Sequence, residues 1–319
     1  MSGILKRIGE IGIVPVIKIE SADKAVPLGR ALEGAGIPVA EVTFRTKAAP
    51  DAIRAMAAEL PGVLVGAGTV TSVAMAESAA AAGARFIVCP GWDDAVVDWC
   101  LGRGMPVLPG VSGPDGVMKG VSKGLEALKF FPAEASGGLP MLDALSGPFP
   151  GVKFVPTGGI DAANIGAYAR KGSVLAVGGS WMVKADLIEA GDWAQIEQLC
   201  REAVFALHGF QLAHVGMNDA TADEAAKDAA ALVSLFGFAS KEGNSSIFAA
   251  DCVEVMKSPY LGEKGHLAIR CNDVERAVAR FRGMGVGTVA GTEKSDKGRL
   301  KTVYLDTTVG GFALHLLRA

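Results

Sequence analysis

The first two-thirds of the chain alternate short β-branched runs with alanine-rich segments of helical period. Stretches such as SADKAVPLGRALEGAG have apolar residues at the spacing of an amphipathic helix. The eight apolar runs are IVPVIKI (13–19), PVAEVTF (38–44), VLVGAGT (63–69), ARFIVCP (84–90), PVLPGVS (106–112), EALKFFP (126–132), KFVPTGG (153–159) and LAVGGSW (175–181). Eight βα repeats in roughly 200 residues predict an α/β fold, a compact (β/α)8 TIM barrel.

A different pattern begins near residue 208, where a strand, a helix and several strands follow one another twice. HVGMNDATADEAAKDAAALVSLFGF is answered about fifty residues later by HLAIRCNDVERAVARFRGMGV, and VEVMK is answered by FALHLLR. This internal duplication predicts a smaller α+β domain of two βαβββ modules. We therefore expect a barrel domain over residues 1–208 and a second domain over 211–319.

Composition and charge exclude several classes of protein. The net charge of −3 gives no general electrostatic reason to bind nucleic acid or an anionic membrane. The five cysteines are odd in number and have no C-x-x-C spacing, which argues against a disulfide framework or a zinc knuckle. The N-terminal segment lacks the features of a signal peptide, and the apolar runs are too short to span a membrane. We expect a cytoplasmic protein.

The second apolar run carries charged residues where a barrel strand is normally apolar on both faces. Alternate residues of a strand share a face, so Glu41, Thr43 and Arg45 are predicted to project together into the barrel. Val42 and Phe44 should face the covering helices. A buried ion pair, or an arginine beyond the end of the strand, is the alternative interpretation.

The same alternation in EALKFFP puts Lys129 on the inner face with Ala127 and Phe131. Burial favours the neutral form of an amine, and a neutral amine is the nucleophile that imine formation requires. The alternative is a lysine at the strand end that extends into water.

Glycine pairs end the seventh and eighth runs, in Thr157-Gly158-Gly159 and Gly178-Gly179-Ser180. Loops at these two strand ends commonly bind phosphate in (β/α)8 enzymes, through exposed backbone N–H groups. Glycine pairs also serve ordinary turns, but their position favours a phosphate site. Gly66-Ala67-Gly68-Thr69 fits neither a Walker loop nor a dinucleotide fingerprint.

Residues 8–207 resemble the KDPG/KHG aldolases, which act on 2-keto-3-deoxy-6-phosphogluconate and 4-hydroxy-2-oxoglutarate. The resemblance is carried by VPVI, EVTFRT, GAGTV, CPG, LKFFPAE, PTGGI and GGSW. It implies that Lys129 is the Schiff-base lysine and Glu41 the proton-shuttling glutamate, and that Arg45 and Thr69 bind the substrate carboxylate. The implied phosphate site and pocket lining comprise Gly158, Gly159, Gly179, Ser180, Thr157, Pro90 and Phe131. The family is usually trimeric, so a homotrimer is implied.

The chemistry implied by these residues is class I aldol cleavage without a metal or other cofactor. Lys129 attacks the C2 ketone of the keto acid and forms an iminium ion, which serves as the electron sink. Glu41 removes the proton of the C4 hydroxyl, directly or through water, so that the C3–C4 bond breaks. Arg45 holds the C1 carboxylate. The products would be pyruvate and glyceraldehyde 3-phosphate, its analogue from the galactonate epimer, or glyoxylate, and the sequence leaves this choice open.

The second domain resembles the vicinal-oxygen-chelate superfamily of glyoxalases and extradiol dioxygenases. The resemblance implies a metal site for Zn, Ni, Fe or Mn formed by His214, Glu254, His266 and His315. At His315 those enzymes would carry a glutamate, so neither activity can be transferred. We expect this domain mainly to support assembly or regulation of the aldolase.

Two other functions compete with this interpretation. The barrel would suit a phosphosugar epimerase or synthase, which would share the glycine phosphate site but give Lys129 no covalent role. The chain would alternatively act through its second domain, as a metal-dependent lyase, a dioxygenase or a binding module. The combination of Glu41, Arg45 and Lys129 argues against an inactive barrel.

Overall fold

The computed structural model describes residues 2–319. They divide into two compact units, the first ending at Leu207 and the second spanning His208–Ala319. Among the described residues, no helix is both long and apolar enough to cross a membrane.

The first unit is built around parallel strands that alternate with helices. The strands are β1 (Ile13–Ile17), β2 (Val39–Thr43), β3 (Leu64–Gly68), β4 (Ile87–Val88), β5 (Val107–Leu108), β6 (Gly110–Val111), β7 (Ala127–Phe130), β8 (Lys153–Pro156) and β9 (Val177–Gly179). They pair in the orders β5-β4-β3-β2-β1-β9 and β6-β7-β8. Isolated bridges Phe154–Val174 and Thr157–Gly178 extend the pairing from the β8 region towards β9. The prediction of an α/β fold of TIM-barrel type is confirmed at this level.

The strands are shorter than the apolar runs from which they were predicted. The fifth run is split into β5 and β6 at Pro109, which has no N–H to donate to a neighbouring strand. At the carboxyl ends the backbone turns away from extended geometry, with positive φ at Thr69 (56°), Gly158 (100°) and Gly159 (78°). The predicted strand ends are therefore wrong, and the excess residues form the loops above the sheet.

Helices follow nearly every strand of the first unit. They are α1 (Gly3–Ile11), α2 (Ala25–Gly34), α3 (Ala49–Glu59), α4 (Val73–Ala81), α5 (Asp94–Gly102), α6 (Pro114–Ser122), α7 (Gly138–Ser146), α8 (Ile165–Ala169), α9 (Ala185–Ala190) and α10 (Trp193–His208). Short 3-10 segments span Ala22–Lys24 and Glu134–Ser136. Some helices begin at side chains that accept hydrogen bonds from the first turn, as Asp93 does from the Val96 N–H at 2.8 Å. The outward residues Leu128 and Phe130 of β7 are fully buried in the apolar core between strands and helices.

The second unit contains two copies of a strand, a helix and three strands. Its strands are β10 (Gln211–Asn218), β11 (Ser240–Glu242), β12 (Ser246–Ala249), β13 (Val253–Met256), β14 (Gly265–Cys271), β15 (Lys294–Asp296), β16 (Arg299–Val309) and β17 (Phe312–Arg318). Its helices are α11 (Ala222–Phe236) and α12 (Val274–Gly283). The strands form one sheet in the order β11-β12-β13-β10-β14-β17-β16-β15. The copies meet where β10 and β14 pair in antiparallel fashion.

One face of this sheet carries the helices. Val255 packs in an apolar cluster with residues of α11, and Leu316 packs in another with residues of α12. Because successive strand residues point to opposite faces, Glu254 and His315 project from the other face. The alternation thus separates an apolar helix-covered face from a face with ionisable side chains.

Candidate functional site

Lys129 and Glu41 form a buried pair inside the barrel of the first unit. Lys129 Nζ lies 3.2 Å from Glu41 Oε1, and the two side chains are only 6% and 3% exposed. Lys129 lies in β7 and Glu41 in β2, and strand alternation directs both side chains inwards. Transfer of a proton from the Lys129 ammonium to the Glu41 carboxylate would leave a neutral amine next to a carboxylic acid. A neutral amine is the form that attacks a ketone.

Three close approaches describe the barrel interior around this pair. The Phe131 ring centroid lies 5.3 Å from Lys129 Nζ. A Cβ atom added to Gly68 would lie 2.3 Å from Glu41 Oε1, and one added to Gly66 would lie 2.3 Å from the Phe86 ring. Because β3 has glycine at these positions, the side chains of Glu41 and Phe86 fill the space next to it.

Arg45 reaches the mouth of the barrel from a turn, which corrects the prediction that it projects inward from a strand. Strand β2 ends at Thr43, and the exposed Arg45 follows in the turn. Arg45 Nε donates to Thr69 Oγ1 at 3.3 Å. The Thr43 hydroxyl donates to the Ile17 carbonyl at 2.7 Å and is thereby engaged within the sheet. The arginine is positioned by the loop contact and is open to an anionic ligand.

A cleft of about 440 Å³ lies at the mouth of the barrel. Its lining comprises Val16, Lys18, Thr43, Arg45, Phe131, Thr157, Gly158, Gly159, Ile160, Gly179, Ser180, Trp181, Val183, Lys184 and Ala185. Most of the residues that the sequence assigned to substrate binding therefore share one cavity. Sequence reasoning missed Lys18 and Lys184, two exposed cations on its wall. The signal available for them was their closeness in sequence to IVPVI and to the GGSW glycines.

The buried pair Lys129 and Glu41 lies outside this lining, and so do two of the predicted binding residues. Thr69 contacts Arg45 without forming part of the described wall. Pro90 lines a neighbouring cleft of about 400 Å³, which shares Phe131 with the first. Phe131 thus separates the cavity near Pro90 from the cavity near the glycine pairs.

The glycine pairs adopt conformations that side chains would disturb. Gly158 and Gly159 have φ values of 100° and 78°, a region that other residues rarely adopt. Their carbonyl oxygens already accept hydrogen bonds, from the Glu134 N–H at 3.1 Å and from Asn164 Nδ2 at 3.0 Å. A Cβ atom on Gly179 would lie 1.8 Å from the Trp181 ring. Both carbonyl oxygens are thus engaged within the protein, and the main-chain N–H groups of the turn are the candidate donors to an anion.

Cys89 is another potential nucleophile, and its thiolate would interact electrostatically with Lys129 and Glu41. Burial, with smaller contributions from nearby acidic groups, raises the pKa of the Cys89 thiol to about 12. The thiol is therefore protonated at neutral pH and is a poor nucleophile. Lys129 therefore remains the candidate nucleophile.

Three side chains converge closely on the helix-free face of the second unit. His214 Nε2 and His266 Nε2 lie 3.1 and 3.2 Å from Glu254 Oε2. The two imidazole nitrogens are 3.1 Å from each other. Ser246 Oγ donates to the other carboxylate oxygen, Oε1, at 2.6 Å. Three donor atoms at mutual distances near 3 Å suit a transition metal, because ligands about 2.1 Å from an ion at right angles lie about 3 Å apart.

His315 borders this cluster from strand β17. One ring nitrogen from each of the three histidines lies within 4.8 Å of the others. His315 Nε2 shares a hydrogen bond with the Thr302 hydroxyl, and its ring stacks on Tyr304 with centroids 4.6 Å apart. These contacts hold His315 beside the three-atom core formed by His214, Glu254 and His266. The structure thus brings together all four residues that the sequence singled out.

The charge states around the cluster favour a bound cation. Burial raises the pKa of Glu254, but hydrogen bonds from His214, His266 and Ser246 outweigh it and hold that pKa well below its usual range. Burial lowers the pKa of His315 to about 4. A carboxylate and a neutral imidazole at pH 7 are the protonation states that metal ligands require.

The first unit is similar to known aldolases over its whole length. Residues 4–199 match the family described as KDPG and KHG aldolase. The 2-dehydro-3-deoxy-phosphogluconate aldolase of Treponema pallidum is 45% identical over 204 residues, covering 64% of this chain and 97% of that protein. The KHG/KDPG aldolase of Escherichia coli K12 is 46% identical over 192 residues, covering 60% of this chain and 90% of its own length.

Two solved structures add ligands to this comparison. A KDPG aldolase from Legionella pneumophila, with pyruvate captured as a covalent carbinolamine intermediate, is 40% identical. Its TM-score is 0.61, and the match covers 62% of this chain and 97% of the other. The 2-keto-3-deoxy-6-phosphogluconate aldolase of Zymomonas mobilis ZM4, with 3-phosphoglycerate, is 39% identical. Its TM-score is 0.58, with 63% and 94% of the two chains covered.

Proposed function

Because this chain belongs to the KDPG and KHG aldolase family, we propose that it cleaves 2-keto-3-deoxy-6-phosphogluconate to pyruvate and glyceraldehyde 3-phosphate through a Schiff base on Lys129. The observation that carries this proposal is the buried Lys129–Glu41 pair. Phe131, whose ring centroid lies 5.3 Å from Lys129 Nζ, joins this pair to a cleft with lysine and glycine residues in its walls. We also propose cleavage of 4-hydroxy-2-oxoglutarate to pyruvate and glyoxylate, because this substrate has the same 2-keto acid group.

The reacting centre accounts for bond cleavage. Neutral Lys129 adds to the C2 ketone, and the carbinolamine loses water to give an iminium ion. Glu41 lies within hydrogen-bonding distance of Nζ, so it can move protons during both steps. It then takes the proton of the C4 hydroxyl while the C3–C4 electrons move into the iminium, and returns a proton to C3 of the enamine. Hydrolysis releases pyruvate and restores Lys129.

The two ends of the cleft bind the two charged ends of the substrate. The exposed Arg45, with Thr69, is suited to hold the C1 carboxylate through charge-assisted hydrogen bonds. The turn at Gly158 and Gly159 and the exposed Ser180 are suited to hold the phosphate. Lys184 adds positive charge, and we expect it to increase affinity for phosphorylated substrates. Lys18 also lies on the wall, but Glu20 Oε1 is 2.7 Å from its Nζ and offsets its charge. Cytoplasmic location and a homotrimeric assembly are further proposals, which rest on the composition and on the family resemblance.

Pyruvate release tests this function against the competing barrel functions. We expect release from both substrates with the whole protein, and loss of release in Lys129→Ala. Lys153→Met is a matched control, because Lys153 begins β8 and donates to the Gly172 carbonyl away from the reacting pair. An epimerase or synthase would yield no pyruvate from either substrate, and that result would contradict the proposal.

We further propose that the second unit binds a divalent transition metal through His214, Glu254 and His266. The mutual distances of 3.1, 3.1 and 3.2 Å between their donor atoms support this proposal. His315 is the candidate for a fourth ligand. Bound metal would supply Lewis acidity on the helix-free face of the sheet. The aldolase chemistry of Lys129 does not call on it, so we assign this unit a role in assembly or regulation.

A further inference from the structure

A glutamate and a tyrosine outside the reacting centre converge on the glycine turn of the mouth. Glu134 opens the segment Glu134–Ser136, and Tyr168 lies in α8 with a fully buried side chain. The Tyr168 hydroxyl donates a hydrogen bond to Glu134 Oε1. Burial, reinforced by the Glu134 carboxylate, raises the pKa of Tyr168. The hydroxyl therefore remains a hydrogen-bond donor across the neutral pH range.

Glu134 touches the turn through its backbone and its side chain. Its N–H donates to the Gly158 carbonyl at 3.1 Å. A Cβ atom added to Gly159 would lie 2.6 Å from Glu134 Cβ and 2.7 Å from its Cγ. The aliphatic part of the Glu134 side chain therefore lies directly against the main chain of Gly159, and Tyr168 fixes the carboxylate at its far end.

Such external support has a physical reason. Gly158 and Gly159 both have positive φ and no side chains with which to anchor themselves. Consecutive glycines have many accessible conformations, so neighbours must restrict them. Glu134 supplies one set of contacts, and the hydrogen bond from Asn164 to the Gly159 carbonyl supplies another.

We infer that Glu134 and Tyr168 are positioning residues that hold the Gly158–Gly159 turn in the shape that receives the substrate phosphate. This inference rests on the proposed function. Main-chain N–H groups bind an anion strongly only when they are already oriented towards it. Loosening the pair should therefore weaken phosphate binding while leaving the Lys129–Glu41 chemistry intact.

Three variants separate this role from a general structural one. Tyr168→Phe removes the hydroxyl that fixes the carboxylate, and Glu134→Ala removes both the carboxylate and the Cγ contact. Glu134→Gln keeps an oxygen that accepts from Tyr168, so it should restore most of the wild-type behaviour. Asp143→Asn is the matched control, because it breaks the nearby Lys171–Asp143 ion pair without touching the turn.

The measurements are KM and kcat for 2-keto-3-deoxy-6-phosphogluconate and for 4-hydroxy-2-oxoglutarate, and the affinity for inorganic phosphate by calorimetry. We expect Tyr168→Phe and Glu134→Ala to raise KM about tenfold for the phosphorylated substrate, the effect of losing one hydrogen bond to a charged group. Phosphate affinity should fall in parallel. Values for the unphosphorylated substrate, and borohydride trapping of pyruvate on Lys129, should stay within about twofold of wild type.

Two results would overturn the inference. Equal losses on both substrates would show that the pair only stabilises the fold, and unchanged phosphate affinity in Tyr168→Phe would show that the turn needs no such support. Phosphate affinity is measured without turnover, so it tests the pair even if pyruvate release fails. Absence of pyruvate release from the wild-type protein would contradict the proposed function separately.

Discussion

Lys129 Nζ and Glu41 Oε1 lie 3.2 Å apart although 88 positions separate the two residues in the chain. The pairing places an amine and a carboxylate at one point that water barely reaches. This geometry predicts covalent capture of pyruvate at a single lysine.

Borohydride added in the presence of pyruvate should reduce the imine and leave a stable adduct on Lys129. Peptide mass mapping identifies the modified residue, and Lys129→Met should give no adduct. An active, borohydride-treated enzyme with unmodified Lys129 would contradict the Schiff-base mechanism.

Glu41→Gln should separate imine formation from cleavage. The amide cannot accept a proton from the C4 hydroxyl, so kcat should fall by about 10²–10⁴, the usual contribution of a general base. The amine of Lys129 is still present, and trapping of pyruvate should persist at a slower rate. Full activity in Glu41→Gln would require another base.

The cations and the hydroxyl at the mouth should act on phosphorylated substrates alone. We expect Ser180→Ala and Lys184→Met each to raise KM for 2-keto-3-deoxy-6-phosphogluconate by several-fold, up to about tenfold, because each removes a partner of a charged ligand. Inorganic phosphate should compete with that substrate. Equal changes for 4-hydroxy-2-oxoglutarate would remove the phosphate assignment. Gly179 is unsuitable for this test, because a side chain there would meet the Trp181 ring.

Metal analysis should find a divalent transition metal in untagged protein, or after reconstitution, at about one ion per chain. His266→Ala should abolish binding, and His208→Gln should not, because His208 lies outside the cluster. Chelation should leave pyruvate release largely intact. Strong inactivation by chelation would show that the two units do not act separately.

The stability of the protein should decline in acid through His208. Burial, reinforced by Arg276 and Arg280, lowers the pKa of His208 to about 3 from 6.5. The unfolded chain binds a proton below pH 6.5 that the folded state refuses, so stability is full above that pH and falls as pH drops towards 3. The loss approaches about 1.4 kcal/mol per pH unit in this window. His208→Phe should reduce this slope in urea unfolding, and an unchanged slope would assign the acid sensitivity elsewhere.

Strand periodicity predicted the inward position of Lys129 and Glu41 because a period of two leaves only two faces, and one is occupied by apolar neighbours. It could not place Arg45, whose position depends on a turn and on contact with Thr69, 24 positions away. Lys18 and Lys184 were not predicted as cleft residues, because exposed lysines follow no periodic pattern in the sequence. The contact between Glu134 and Tyr168 joins a 3-10 segment to helix α8, and residue types alone do not specify it.

The two glycines of β3 also determine which side chains lie next to the Glu41 carboxylate. Gly66 and Gly68 share one face of the strand, and the space of the first is taken by the Phe86 ring and that of the second by Glu41. The barrel interior is thus layered, with an aromatic plug under an acid–base layer. The Phe86 ring thus fills the interior beside the acid–base layer, where a side chain on Gly66 would otherwise lie.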